Sequence, residues 1–203
     1  NGRSRGLGDV YKRQPLTNET LKKMADDIPE VTKNILPDQK LDCVAYGCTS
    51  GTIAAGYQSI YEKVNLAKPN TKVTTPITSA INALKTLKIN KVSIFTPYTD
   101  EINQSVINYF KNEKIEISEL SYFDIASDLD IGKVDPQHLF DVLVKQDLSN
   151  SDALFISCTA LPVLSIINDI EKKLGKVILS SNQTLIWDTL KQIGNQNKVD
   201  GYG

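Results

Sequence analysis

The chain has 203 residues and a mass of 22.5 kDa, with 40% hydrophobic and 23% charged residues. This length is sufficient to bury the core of one or two domains without disulfide staples. The formal net charge of −1 gives no electrostatic basis for binding nucleic acid or an anionic membrane. No apolar run approaches the roughly 20 residues of a membrane-spanning helix, and the start lacks the apolar core of a signal peptide. We therefore expect neither partner, and a cytoplasmic location.

The first 14 residues do not resemble part of a fold. They are rich in glycine and arginine, and they follow neither the helical nor the strand period. The hexapeptide at 9–14 (Asp-Val-Tyr-Lys-Arg-Gln) resembles the translation of a transposon end used in preparing sequencing libraries. This favours a fusion scar at 1–14, with a natural disordered arm as the alternative. On the scar interpretation, the chain is an N-terminally truncated fragment.

The remaining sequence alternates between helical and strand patterns. In chain order, the pattern predicts a helix over 16–36, a strand over 41–46, helices over 52–64 and 78–87, a strand over 91–95, a helix over 100–110, a strand over 115–122, a helix over 136–146, a strand over 153–157, a helix over 161–174, a strand over 177–179 and a last helix ending at 193. We expect Thr17 or Asn18 to cap the first helix and Pro29 to kink or split it. The alternation predicts an α/β fold of parallel sheets flanked by helices, with functional groups at the carboxyl ends of the strands.

Two cysteines occupy similar positions in this pattern. Cys48 and Cys158 each follow an apolar strand and a small residue, and each precedes a threonine and a predicted helix. The N–H groups at a helix start favour a thiolate and also bind carboxylates, so we expect lowered thiol pKa values and an anion-binding cradle formed by Thr49, Ser50, Thr159 and nearby amides. Two facing thiols could move a proton across a small acid, or one could attack a double bond while the other acts as an acid.

A structural role for the cysteines is the alternative, since free cysteine is often buried. Cys43 lies within a strand and is expected to pack in the core. The three cysteines show no metal-ligand spacing, and their odd number argues against a disulfide framework. The single histidine, His138, lies in a polar helical stretch and is expected at the surface, which argues against a cysteine–histidine hydrolase.

Several short segments resemble a known family. They are 46–52 (Tyr-Gly-Cys-Thr-Ser-Gly-Thr), 73–76 (Val-Thr-Thr-Pro), 95–98 (Phe-Thr-Pro-Tyr), 157–159 (Ser-Cys-Thr) and 180–183 (Ser-Ser-Asn-Gln). Together they are similar to the maleate cis-trans isomerase and arylmalonate decarboxylase branch of the aspartate/glutamate racemase superfamily. The resemblance extends from residue 16 to the C-terminus, and proteins encoded with ectoine utilisation are similar as well. It implies two pseudo-symmetric lobes, an active site in the cleft between them, no metal or organic cofactor, and a homodimer.

The resemblance also implies roles for individual residues. Cys48 corresponds to the thiol that adds to the double bond, and Cys158 to the thiol of the second lobe. Tyr98 corresponds to a tyrosine that hydrogen-bonds a substrate carboxylate, and its place at a strand end makes solvent access plausible. Packing on a neighbour is the alternative for Tyr98. The matches to the carboxylate cradle are Thr49, Ser50, Thr159 and Ala160. Residues 180–183 could contact the substrate or simply cap the last helix.

The sequence departs from the family pattern at three places. Arylmalonate decarboxylases carry glycine at the position of Cys48, which disfavours decarboxylation. Maleate isomerases carry asparagine near Asp128, and an acid in this part of the substrate site would repel a second carboxylate. The family's first strand, with its substrate loop, has no counterpart.

These observations predict an isomerase or racemase of a small carboxylic or dicarboxylic acid. The alternatives are an arylmalonate-type decarboxylase or ectoine-degradation enzyme on the same scaffold, and a noncatalytic carboxylate-binding module. We expect 15–75 together with 180–203 to form the first lobe and 76–179 to form the second.

Overall fold

The computed structural model describes residues 16–195, 197 and 199–202. The prediction for 1–14 lies outside these residues. The described strands are β1 (Cys43–Ala45), β2 (Lys72–Thr74), β3 (Lys91–Thr96), β4 (Glu116–Tyr122), β5 (Ala153–Ile156) and β6 (Val177–Ser180). The described helices are α1 (Asn18–Met24), α2 (Ile28–Lys33), α3 (Thr49–Ala55), α4 (Tyr57–Ala67), α5 (Pro76–Leu87), α6 (Asp100–Asn112), α7 (Asp128–Ile131), α8 (Pro136–Leu143), α9 (Ile167–Leu174) and α10 (Ser181–Gln192). None of these helices is both long and apolar enough to cross a membrane.

The strands form two parallel sheets. β1 pairs with β2 in one sheet, and the other has the order β4-β3-β5-β6. Helices connect the successive strands, as parallel pairing requires. The predicted α/β class with parallel sheets and flanking helices is therefore confirmed.

The main hydrophobic core surrounds the four-stranded sheet. All four residues of β5 are buried, which explains why this central strand is a continuous apolar run rather than an alternating one. Phe155 of β5 packs against Phe110 of α6 with ring centroids 5.8 Å apart. A smaller cluster beside β2 contains Ile28, Ile60 and Val64, so each sheet has its own apolar support.

Helix α10 connects the two sheets. It follows β6 directly, packs along α5, and also contacts β1 and β2. Ser180 caps it by accepting a hydrogen bond from the amide of Gln183, whose side chain in turn accepts one from the Ser180 amide. The first residues of α10 are thereby fixed beside the ends of strands from both sheets. The lobe boundaries at 75/76 and 179/180 stay a prediction.

The first two predicted helices differ from the structure. The helix expected over 16–36 is capped by Thr17, as predicted, but a 3₁₀ turn at Ala25–Asp27 divides it into α1 and α2. Pro29 lies in the first turn of α2, where its missing N–H breaks no helical hydrogen bond. The helix expected over 52–64 begins earlier, at Thr49, and is interrupted at Gly56, whose φ of 83° suits glycine.

A third difference bears on the second cysteine. The helix expected over 161–174 begins only at Ile167, and irregular chain occupies the residues between β5 and α9. Leu161 and Val163 in this irregular segment are almost fully buried, and Val163 extends the helical spacing of the buried residues Ile167 and Ile170. The prediction that Cys158 lies at a helix N-terminus is therefore wrong.

Candidate active site

The carboxyl ends of four strands meet at one place. Cys48 follows β1, Tyr98 follows β3, Cys158 follows β5, and Ser181 follows β6. In parallel sheets the strand ends share one edge, so side chains distant in sequence converge there. This arrangement agrees with the prediction that functional groups lie at the carboxyl ends of the strands.

Cys48 is the N-cap of α3 and is half-buried. Its Sγ accepts a hydrogen bond from the amide of Gly51 at 3.2 Å and lies 3.8 Å from Oγ of Ser50. Burial raises the pKa of the Cys48 thiol, and the negative charge of Asp128 raises it further, whereas the bonds from Gly51 and Ser50 lower it. The prediction of a lowered thiol pKa is wrong here because the cost of burying the charge exceeds the gain from the helix start.

Cys158 lies in a strained turn and is only 5% exposed. Its φ of 93° is in the left-handed region, an uncommon conformation for a residue with a side chain. Burial raises the pKa of the Cys158 thiol to about 12, opposed by the Ala160 amide, which donates to Sγ at 3.4 Å. Asp128 raises this pKa as well, and the hydroxyl of Tyr98 lowers it. Both thiols are therefore mostly protonated at neutral pH.

Hydrogen bonds join the two cysteine loops directly. Oγ of Ser181 accepts a hydrogen bond from Oγ1 of Thr49 at 2.9 Å and one from the Cys158 amide at 3.0 Å. Oγ1 of Thr159 donates to the carbonyl oxygen of Gly47 at 2.7 Å. The two thiols thus belong to one site at the junction between the sheets.

Tyr98 lies within this site and is 1% exposed. Its hydroxyl accepts a hydrogen bond from Oγ of Ser157 at 3.4 Å. Its loop is held by Asn103, whose side-chain amide donates to the Tyr98 carbonyl oxygen. Burial raises the pKa of Tyr98 well above its ordinary value, and ionised Cys158 and Cys48 would raise it further. Tyr98 is consequently a neutral hydrogen-bond donor, and the expectation of solvent access is wrong for this closed arrangement.

The structure also places the other predicted site residues. Thr49 and Ser50 are buried in the first turn of α3, where geometry leaves the first amides without an intrahelical acceptor. The hydroxyls of Thr49 and Thr159 already bridge the two loops, which leaves backbone amides and the Ser50 and Tyr98 hydroxyls as candidate groups for a substrate carboxylate. Asp128 begins α7, and its charge acts on both thiols. The substrate-binding roles of these residues and of Ala160 stay predictions.

Cys43 and His138 lie apart from the site. Cys43 is half-buried in β1, with Sγ 3.8 Å from Oγ1 of Thr74. His138 is exposed on α8 and stacks on Phe123, with ring centroids 5.9 Å apart. Across the residues that the structure describes, no group of three histidine, cysteine, aspartate or glutamate side chains could hold a metal ion. The surface position predicted for His138 is confirmed.

Two surface clefts do not contain the thiols. One, of about 550 Å³, lies between α5 and α10, and the other, of about 350 Å³, lies beside α1, α3 and α6. Neither is lined by Cys48, Cys158 or Tyr98. The candidate site is the junction itself, where the two thiols and the Tyr98 hydroxyl converge.

The sequence assigned no role in this junction to Ser157 or Tyr46, and it gave Ser181 only as part of 180–183, a possible substrate contact or helix cap. Ser181 joins the cysteine loops, Ser157 bonds to Tyr98, and Tyr46 lies beside Cys48. The strand-end rule places Ser181 at this edge, because it follows the strand adjacent to β5, but the rule does not show which groups Ser181 bonds. The contacts of Tyr46 depend on the fold of α3 and leave no sequence signal.

Comparison with known proteins identifies the family. A profile of the arylmalonate decarboxylase family matches residues 16–203. The chain belongs to this family. It is 28% identical over 197 residues to a maleate isomerase of Geobacillus stearothermophilus, covering 93% of this chain and 78% of the relative. It is also 28% identical over 133 residues to an arylmalonate decarboxylase of Bordetella bronchiseptica, covering 64% of this chain and 55% of the relative.

Solved structures agree with this family assignment at the level of the fold. The maleate isomerase Iso of Pseudomonas putida superposes with a TM-score of 0.85 at 21% identity, covering 94% of this chain and 79% of that one. A cysteine-to-serine variant of the Nocardia farcinica maleate cis-trans isomerase, with a covalently bound succinylcysteine intermediate, superposes with a TM-score of 0.80 at 19% identity, covering 89% and 76%. The predicted maleate isomerase and arylmalonate decarboxylase branch is confirmed, and with it the prediction of an isomerase enzyme.

Proposed function

We propose that this family member isomerises a small unsaturated carboxylic acid of the maleate type, with Cys48 as nucleophile and Cys158 as proton donor and acceptor. The observation that carries the proposal is the direct hydrogen bonding of the two cysteine loops through Ser181. A packing role for two unrelated thiols would not require them to share one junction. Maleate is the substrate named for several relatives of the chain.

The proposed reaction begins when the Cys48 thiol has released its proton to water, and the resulting thiolate adds to one carbon of the double bond. The sulfur's electron pair forms the carbon–sulfur bond, and the double-bond pair moves to the other carbon beside its carboxylate. Rotation about the resulting single bond then becomes possible. Return of this pair re-forms the double bond in the trans arrangement and releases Cys48 as a thiolate. Where Cys158 protonates the intermediate, its thiolate later removes that proton.

The neutral groups of the site can stabilise charge during this reaction. The Tyr98 hydroxyl is a neutral donor, and the amides of Gly51 and Ala160 already donate to the two sulfurs. Asp128 acts in the opposite direction, because its charge disfavours both a thiolate and a second carboxylate. We infer that the carboxylate nearer Asp128 binds where the amides offset this repulsion.

Decarboxylation is the second candidate function, because the family includes an arylmalonate decarboxylase relative. That reaction would need one thiol to protonate a carbanion after carbon dioxide leaves. The presence of a second thiol in the same junction favours isomerisation over decarboxylation. A homodimer, a cytoplasmic location and the absence of organic cofactors also stay proposals drawn from the resemblance and the composition.

A turnover experiment tests the proposed function. We expect wild-type protein to convert maleate to fumarate, followed by proton NMR, and we expect Cys48→Ser and Cys158→Ser each to lower the rate at least about a hundredfold, in line with the loss of a nucleophile or acid–base group. Cys43→Ser is the matched control and should retain the wild-type rate, since Cys43 lies outside the junction.

Full activity in either thiol variant would refute the two-thiol mechanism. Release of carbon dioxide from substituted malonates, without maleate turnover, would favour the decarboxylase. No turnover of either substrate class would refute both enzymatic candidates for this chain.

A further inference from the structure

A tyrosine hydroxyl is buried beside the proposed nucleophile without a partner. Tyr46 lies between β1 and Cys48, and within the described residues its Oη has no hydrogen-bond partner. Buried hydroxyl groups are normally paired, because leaving one unpaired costs its hydration. Tyr57, in the same lobe, follows this rule: its hydroxyl donates to the carbonyl oxygen of Val73 at 3.1 Å. An unpaired buried hydroxyl at a reactive site calls for a functional explanation.

Gly51 lies against both the hydroxyl and the thiol. A Cβ atom placed on Gly51 would lie 2.7 Å from Oη of Tyr46 and 2.8 Å from Sγ of Cys48. Both polar atoms therefore lie against the position of a Cβ atom on this glycine, and a side chain there would have to displace both of them. The Cε atom of Met24 lies 2.9 Å from the same Cβ position, so this side chain shields the space between the hydroxyl and the thiol from water.

The electrostatic surroundings keep the Tyr46 hydroxyl protonated. Burial raises the pKa of Tyr46 far above its ordinary value, and an ionised Cys48 raises it further. The titratable and charged groups that act on Cys48 from the packed elements are Tyr46, Tyr98, Asp128 and Cys158. None of these is a cation, so a thiolate at Cys48 depends on neutral donors. The Gly51 amide supplies one such bond, and a neutral phenol is well suited to supply another.

We propose that Tyr46 is a positioning residue for Cys48, whose hydroxyl turns to the sulfur and donates a hydrogen bond when the thiol ionises. While the Cys48 thiol is protonated, the Tyr46 hydroxyl lies unpaired against Gly51. On ionisation it completes, with the Gly51 amide, a pair of donors to the thiolate. The inference deepens the proposed function, in which Cys48 is the nucleophile, but thiol ionisation is measured without substrate.

The test compares the pH dependence of Cys48 alkylation by iodoacetamide in wild type and Tyr46→Phe. Both proteins carry Cys43→Ser, because Cys43 and Cys48 lie in one tryptic peptide. Loss of a hydrogen bond to a charged sulfur reduces the thiolate population about tenfold. Since a less acidic thiolate is more nucleophilic, we expect a net rate about threefold lower at a fixed pH below the thiol's titration. The plateau of the profile should move to higher pH.

Tyr57→Phe is the matched control, because it removes a paired hydroxyl from the same lobe away from the thiol. We expect it to lower the thermal midpoint and leave the Cys48 profile unchanged, whereas Tyr46→Phe should keep the midpoint.

Gly51→Ala is a second variant, whose methyl group would separate Oη from Sγ and should also slow Cys48 alkylation. A Cys48 profile in Tyr46→Phe that coincides with wild type would overturn the inference, even where maleate is turned over. Absence of turnover with a shifted profile would overturn only the proposed function.

Discussion

At the scale of single residues, burial decides the chemistry of the two thiols. The sequence places each cysteine after a strand, but it does not show how much water reaches the sulfur. Cys158 is 5% exposed, and this burial outweighs the amide bond from Ala160. The local sequence pattern alone predicts acidic thiols, whereas the pKa of each thiol depends on the elements that pack around its sulfur. Asp128, remote in sequence from both cysteines, is one such contribution.

The raised pKa of Cys158 predicts a pH dependence of stability. The folded state keeps the thiol proton up to about pH 12, whereas the unfolded chain releases it near its ordinary value of 9.0. Between these values the folded state binds more protons, so the free energy of unfolding must fall as pH rises. Above pH 9, the free energy of unfolding of wild type should fall by up to about 1.4 kcal/mol per pH unit more than that of Cys158→Ser. Denaturant titrations at a series of pH values measure this difference, and parallel curves for the two proteins would contradict it.

At the scale of elements, the strands were easier to predict than the helix limits. β3 and β5 are buried on both faces and therefore appear as apolar runs. β2 has only three residues and no such run, so it was missed. The start of α9 was misplaced because Leu161 and Val163 enter the core from irregular chain. Periodicity reports burial, and burial alone does not distinguish a helix from a packed turn.

Helix α10 has a specific structural role that substitution can test. Ser181→Ala removes the acceptor for the Cys158 amide and for the Thr49 hydroxyl, leaving two buried donors unpaired. We expect this variant to lose about 1–3 kcal/mol of unfolding free energy, measured by chemical denaturation. Ser165→Ala is the control, because Ser165 is exposed in the segment before α9. Equal stability of the two variants would show that the Ser181 hydrogen bonds do not hold the cysteine loops.

At the scale of the whole molecule, the order of elements predicted the fold class and the common edge of the functional strands. The contacts that make one site from two sheets were not predictable, because they join residues far apart in sequence. Thr49 and Ser181 are 132 positions apart, and Gly47 and Thr159 are 112 apart. Such pairs form only after both sheets and α10 have packed. The repeated strand–cysteine–threonine pattern, together with the motif resemblance, is what indicated that the two cysteines belong together.

The central claim is that Cys48 attacks the substrate while Cys158 donates and removes the proton. It is tested most directly by incubating Cys158→Ser with maleate and mapping the modified peptide by mass spectrometry. Addition at Cys48 followed by protonation from solvent gives a stable adduct, because a serine hydroxyl is too weak an acid–base group to remove the proton again. The account predicts one added maleic acid on Cys48, with fragment ions showing Cys43 unmodified. An unmodified Cys48, or equal modification of both cysteines, would contradict it.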